Sequence, residues 1–131
     1  MSPLIIGVDF DGTIVEHQYP EIGPPVDGAI ECLKECVDRG ARLVLWTMRS
    51  GEGLDQAVAW LKEQGVTLWG VNANPETNWT TSPKAYCHVY VDDAALGCPL
   101  QPSKTTKRPC ADWEAISSQL LKLVTDRQNE W

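Results

Sequence analysis

An α/β fold on a doubly wound parallel sheet is the expectation from this sequence, and three observations carry it. Short apolar runs alternate with amphipathic stretches, glycines stand where helices would end, and no internal repeat interrupts the pattern. Leu4–Asp9 is nearly continuous in apolar residues, as a strand buried on both faces of a parallel sheet requires. Between Val26 and Arg39, the residues Val26, Ala29, Ile30, Leu33, Cys36 and Val37 recur at helical spacing, and Gly40 follows as a stop. Arg42–Trp46 predicts a second strand. Leu54–Gln64 predicts a second helix, with Leu54, Ala57, Val58 and Leu61 on one face and Gly65 at its end. Val66–Val71 and His88–Val91 read as the third and fourth strands. Trp113–Arg127 is a closing amphipathic helix, striped by Trp113, Ile116, Leu120, Leu123 and Val124. Right-handed crossovers then give a Rossmann-like, three-layer α/β/α sandwich, with Gly12–Pro25, Asn72–Pro83 and Gly97–Pro109 as loops.

The 131 residues suit one domain spanning 1–131, long enough to bury about two-thirds of the chain's surface without staples. A formal charge of −7 argues against a broad nucleic-acid footprint, though a local anion pocket remains compatible with it. No apolar run is long enough for a membrane span, and the first residues lack the basic start of a secretion signal. Five cysteines form no CxxC pair, which fits free thiols in a reducing cytoplasm. Cys32 and Cys36, four apart on a predicted helix, are read as packing thiols, because no neighbouring Cys or His completes a zinc set. Lys104, Lys107 and Arg108 are read as a solvated basic loop.

In open α/β sheets, ligands bind beyond the carboxyl ends of the strands, so chemistry is expected at the strand ends. The first strand runs into Asp9-Phe10-Asp11-Gly12-Thr13. In an extended chain Asp9 and Asp11 point the same way, and Gly12 permits a sharp turn or a close approach. Two neighbouring carboxylates repel unless a cation or a proton intervenes, which suggests a metal site or an acid–base pair. The second strand ends at Thr47, followed by Met48-Arg49, and the fourth ends in Asp92-Asp93, with Lys84 eight positions ahead of Asp92. Acid pair, hydroxyl, lysine and acid pair thus fall at one sheet edge.

At these residues the chain resembles the haloacid dehalogenase superfamily of aspartyl-phosphate hydrolases. Asp9-Phe10-Asp11-Gly12-Thr13 matches its first motif, Thr47 its second, Lys84 its third and Asp92-Asp93 its fourth, in order over residues 4–93. Glu16-His17-Gln18-Tyr19-Pro20, Trp46-Thr47-Met48-Arg49 and Ser82-Pro83-Lys84 further resemble a subgroup of very small bacterial and phage phosphatases in that superfamily. The resemblance implies that Asp9 attacks phosphorus and that Asp11 serves as acid and then base. It implies Mg²⁺ held by Asp9, the Asp11 carbonyl and the Asp92–Asp93 pair, Asp93 directly and Asp92 partly through water. Thr47 and Lys84 would hold the equatorial phosphoryl oxygens. Asp11 and Thr13 point within the superfamily to phosphate esters.

Thr13–Pro25 and Asn72–Pro83 are too short to build a cap domain, so an uncapped site under a short flap around Glu16–Tyr19 is expected. Gly12, Thr13, His17 and Arg49 are the candidate substrate contacts, with Tyr19, Asn72, Asn74 and Trp79 as further selectors. For Arg49 a structural ion pair is the competing role, for Lys84 an exposed loop lysine, for His17 a surface-loop histidine, and for Asn72 and Asn74 a turn. Trp46, Trp60, Trp69 and Trp113 are read as packing residues. The expected activity is a Mg²⁺-dependent phosphomonoesterase acting on a small metabolite such as a sugar phosphate or nucleotide, in a chain consistent with a homo-oligomer. The alternatives are a nucleic-acid end phosphatase and a phosphoacceptor or ligand-binding domain without turnover.

Overall fold

The computed structural model describes residues 2–129. In chain order it contains β1 (Ile5–Val8), α1 (Ala29–Asp38), β2 (Arg42–Leu45), α2 (Gly51–Glu63), β3 (Gly70–Val71), β4 (Val89–Val91), β5 (Leu100–Gln101), β6 (Cys110–Ala111) and α3 (Trp113–Asn129). The first four strands form one parallel sheet in the order β3-β2-β1-β4. The chain therefore steps outward from β1 through β2 to β3, then returns to lay β4 on the other side of β1. This reversal makes the carboxyl end of β1 a topological switch point, the position where such sheets open a crevice.

Alternate strand residues face opposite ways, and each face has found its own cover. Ile6, Val8, Leu43 and Leu45 join Ala29 and Leu33 of α1, Ala57 and Leu61 of α2, and Ile116 and Leu120 of α3 in the main core. Cys32 and Cys36 are buried in that core as free thiols. On the opposite face, Ile5 and Val44 pack with Ala85 and Cys87, flanked by Trp46 and Trp69. The α/β architecture of the sequence reading is present, but the second outer layer is the helix-free crossover of residues 72–88. That stretch has no apolar stripe from which to build a helix. Instead, Asn74 bonds the backbone of Tyr86 from both ends of its amide, at 2.7 and 2.6 Å. A side chain at position 7 would meet the Cys87 sulfur and the Tyr90 ring, so Gly7 lets the crossover lie close to β1.

Two local differences have simple causes. The third strand is confined to Gly70–Val71, not Val66–Val71, because the register with β2 takes in only these two, and the Trp69 N–H bond to the Leu43 carbonyl at 2.8 Å marks its edge. Inside the expected loop Gly97–Pro109 lies an antiparallel ribbon, Leu100 against Ala111 and Gln101 against Cys110. Two-residue strands are too short to show any alternation. Among the described residues, no helix is long and apolar enough to cross a membrane.

Candidate metal and phosphate site

Strand register brings the acids together. Val8 of β1 is level with Leu45 of β2 and Val91 of β4, so the next residues, Asp9, Trp46 and Asp92, emerge side by side. Backbone bonds carry this alignment past the strand ends, from Asp9 N–H to the Val91 carbonyl at 2.9 Å and from Trp46 N–H to the Val8 carbonyl at 2.8 Å. Carboxylate oxygens of Asp9, Asp92 and Asp93 lie within 4.8 Å of one another.

After Asp9 the chain wraps around the Phe10 carbonyl, which accepts the N–H groups of Thr13, Ile14 and Val15. Gly12 makes the turn at φ +84, and any Cβ there would collide with the His17 imidazole and the Asp93 carboxylate. Its N–H already donates to the Val15 carbonyl at 2.7 Å, so the expected contact from Gly12 to substrate gives way to a packing role under His17. Thr13 is also corrected, being fully buried and turned inward. Its hydroxyl lies 3.0 Å from Asp9 Oδ2 and 3.2 Å from Asp93 Oδ1, and accepts the Asp93 N–H at 3.0 Å. One hydroxyl hydrogen serves one carboxylate at a time, so Thr13 ties the two acids together without neutralising them. Behind it, the buried Trp113 indole donates to the Thr13 carbonyl at 2.6 Å, anchoring the loop to the first residue of α3.

Burial, with the charges of Asp92 and Asp93 nearby, pushes the Asp9 carboxyl up to about 8 from an ordinary 3.8. Negative charge is thus crowded here beyond what protein donors relieve. An all-oxygen group of carboxylates suits a hard divalent cation, so the residues present fit the expected metal. His17 Nε2 lies 2.9 Å from Asp93 Oδ2 at the same place.

The Asp11 side chain does not join this group, which leaves only its carbonyl for the metal role that the resemblance implied. Its carboxylate is gripped by Arg49, Nε to Oδ2 and an Nη to Oδ1, both at 2.8 Å. The remaining Arg49 donors reach the carbonyls of Pro20 at 3.1 Å and Glu21 at 2.9 Å. Its guanidinium also lies over the rings of Phe10 and Tyr19. The expected anion-binding role of Arg49 is therefore replaced by the ion pair, which raises its pKa further, chiefly through the Asp11 hydrogen bonds.

Thr47 reaches the site edge, lining the cleft with Asp9 and Asp92. Its N–H donates to Asn72 Oδ1 at 2.8 Å, and its hydroxyl accepts the Arg49 N–H at 3.1 Å. Asn72 adopts a positive φ of 54, consistent with the turn reading. Lys84 is not brought in. It is exposed and its ammonium lies 5.5 Å from the Tyr90 ring centroid, on the crossover face of the sheet, while its neighbour Pro83 lines the cleft. The structure thus places the Lys84 ammonium over the Tyr90 ring and not in the cleft, where the phosphate contact was expected. Trp79 is likewise exposed on that side.

Residues 13–25 fold back as a flap, with Glu16 N–H bonded to the Pro24 carbonyl and Val26 N–H to the Ile14 carbonyl. Glu16 is buried, yet its carboxylate is held below its usual range. Burial opposes this, and the Thr105 hydroxyl and the N–H groups of Lys104 and Thr105 overcome it at 2.5 to 2.8 Å. The flap thereby holds the β5–β6 loop against the cleft. Of the basic loop, Lys104 pairs with Asp27 in solvent, whereas Arg108 lines the cleft with Asp11, His17 and Tyr19. Sequence reasoning missed Arg108 and the anchoring role of Glu16, since no periodicity joins residues some ninety positions apart.

A solved structure described as that of a conserved protein coded by a locus of Bacteroides thetaiotaomicron is similar to this chain, with 34% identity and a TM-score of 0.77. The match covers 92% of this chain and 92% of that one. No protein-family model and no curated protein matches the chain.

Proposed function

The chain belongs to one family with that conserved Bacteroides protein, and from the site it carries we propose a divalent-metal-dependent phosphomonoesterase of haloacid dehalogenase type. The observation that carries the reading is the meeting of Asp9, Asp92 and Asp93 carboxylates at the switch point, with Asp11 held beside them.

Asp9, Asp92 and Asp93 would hold the cation, which supplies positive charge to phosphoryl oxygens when bound. An Asp9 oxygen attacks phosphorus, the bond to the leaving alcohol breaks, and Asp11 gives that alcohol its proton. Water then attacks the aspartyl-phosphate, Asp11 takes the water's proton, and phosphate leaves Asp9 free. Nucleophilic attack requires Asp9 ionised, a state opposed by its burial and by its acidic neighbours until a cation is present. Arg49 fixes the position of Asp11, and one Asp11 oxygen must leave the guanidinium to carry the proton. Thr47 retains a hydroxyl hydrogen for a phosphoryl oxygen, since the described bond to its oxygen is an accepted one.

The test is hydrolysis of phenyl phosphate with Mg²⁺ and with EDTA, by the wild type, Asp9→Asn and Asp11→Asn. Loss of turnover with the metal or with either carboxylate is expected. Activity that survives both EDTA and Asp9→Asn would refute the mechanism.

A further inference from the structure

The cleft has two lobes that share Asp9, Thr47, Met48 and Asp92. One, of about 390 Å³, continues towards Asn72 and Pro83. The other, of about 550 Å³, continues towards Asp11, Tyr19 and Arg108. In-line displacement sets the leaving oxygen opposite the nucleophile and beside its proton donor. Asp11 lines the larger lobe and not the smaller, so the alcohol portion of a substrate belongs in the larger lobe.

That lobe is walled by Asp9, Asp11, Asp92 and Asp93, in a chain of net charge −7. Arg49 is committed to Asp11 and to flap carbonyls. Among the described residues, Arg108 is the basic side chain of the lobe that forms no ion pair. Its backbone is braced, the carbonyl by Ser103 Oγ at 2.6 Å and the N–H by Thr106 Oγ1 at 3.4 Å. The loop that carries it is in turn bonded to Glu16. An unpaired guanidinium on a held loop presents a fork that fits a carboxylate or a phosphate. Across the lobe the exposed Tyr19 ring offers an apolar wall for a short carbon skeleton.

We propose that Arg108 selects phosphate esters whose alcohol portion carries a second anionic group, a carboxylate or another phosphate. The proposal rests on the phosphatase reading and narrows its substrate class.

The test compares kcat/KM for phenyl phosphate, para-carboxyphenyl phosphate and para-phenylene bisphosphate with Mg²⁺, in wild type, Arg108→Ala, Arg108→Glu and Lys107→Ala. Wild type is expected to favour a charged ester by about tenfold, the effect of one charge-assisted pair. Which charged ester gains more tells carboxylate from phosphate. Arg108→Ala should collapse the preference, Arg108→Glu should reverse it, and Lys107→Ala should keep it. Turnover without preference in the wild type, a preference that survives Arg108→Ala, or an equal fall on all three esters overturns the proposal alone. No turnover of any ester by the wild type overturns the phosphatase reading and the proposal with it.

Discussion

Arg49 holds Asp11 by two parallel N–H···O bonds of 2.8 Å, and the flap closes on the same guanidinium through the carbonyls of Pro20 and Glu21. One side chain thus joins the end of β2, the loop after β1 and the flap. Its own surface is almost wholly covered, with 1% exposure against 18% for the Asp11 side chain.

Removing one partner of a buried ion pair strands the other charge. Arg49→Ala is expected to destabilise the fold by about 3 kcal/mol, and Arg49→Lys by less, since an ammonium keeps a charge for Asp11 though it lacks the fork. Urea unfolding midpoints measure this, and an unchanged midpoint for Arg49→Ala would show that the pair is not structural. Under the proposed phosphatase reading, activity should fall in both variants, because Asp11 loses its fixed position.

The Asp9 carboxyl gives the metal-free protein an unusual pH dependence. With its folded pKa raised to about 8, the native state keeps a proton that the unfolded chain releases near 3.8. The Asp9 contribution to stability is therefore present in full below about 3.8 and declines as pH rises towards 8. Thermal melts in EDTA across that window should show the decline, and Asp9→Asn should flatten it. Under the proposed reading a divalent cation takes the place of this proton, so its stabilising shift in Tm should grow with pH. A shift independent of pH would separate cation binding from Asp9.

Glu16 acts with the opposite sign. Its carboxylate is held below the ordinary value of 4.5, so its contribution is present above that pH and is lost as pH falls through the lowered value. Glu16→Gln should cost about 2 kcal/mol through lost charge-assisted bonds. It should also speed hydrogen exchange at the Lys104 and Thr105 amides, which donate to the carboxylate at 2.8 Å. Unaltered exchange at these amides would mean that the hairpin loop is held by other contacts.

Gly12→Ala tests the turn. A residue with a Cβ at φ +84 costs about 1–2 kcal/mol in backbone strain, and here the Cβ also displaces His17 from Asp93. A lower unfolding midpoint is the expected result and, under the proposed reading, weaker Mg²⁺ binding with it. Wild-type values for both would contradict the crowding at this position.

The parts of the site that could be read from the chain were those set by short-range rules. Leu4–Asp9 is apolar enough to require a buried strand, and a parallel sheet directs its end, Asp9, to the ligand edge. Asp92 follows the fourth strand in the same way. Lys84 was harder, because its direction depends on a crossover without regular structure and on the Tyr90 ring below it. Thr13 was legible as part of a motif but not as a buried tie between two acids.

By itself the sequence determined the alternation of strands and helices, the end of β1 with its two carboxylates, and the acidic pair after β4. Periodicity and strand direction are local properties, carried by neighbouring residues. Only the tertiary structure decided that Arg49 belongs to Asp11, that Lys84 lies on the far face, and that Glu16 brings Arg108 to the cleft. These depend on which side chains meet across long separations: the buried charges of Arg49 and Glu16 take the partners that packing leaves within reach, and the exposed Lys84 and Arg108 go where their loops are laid.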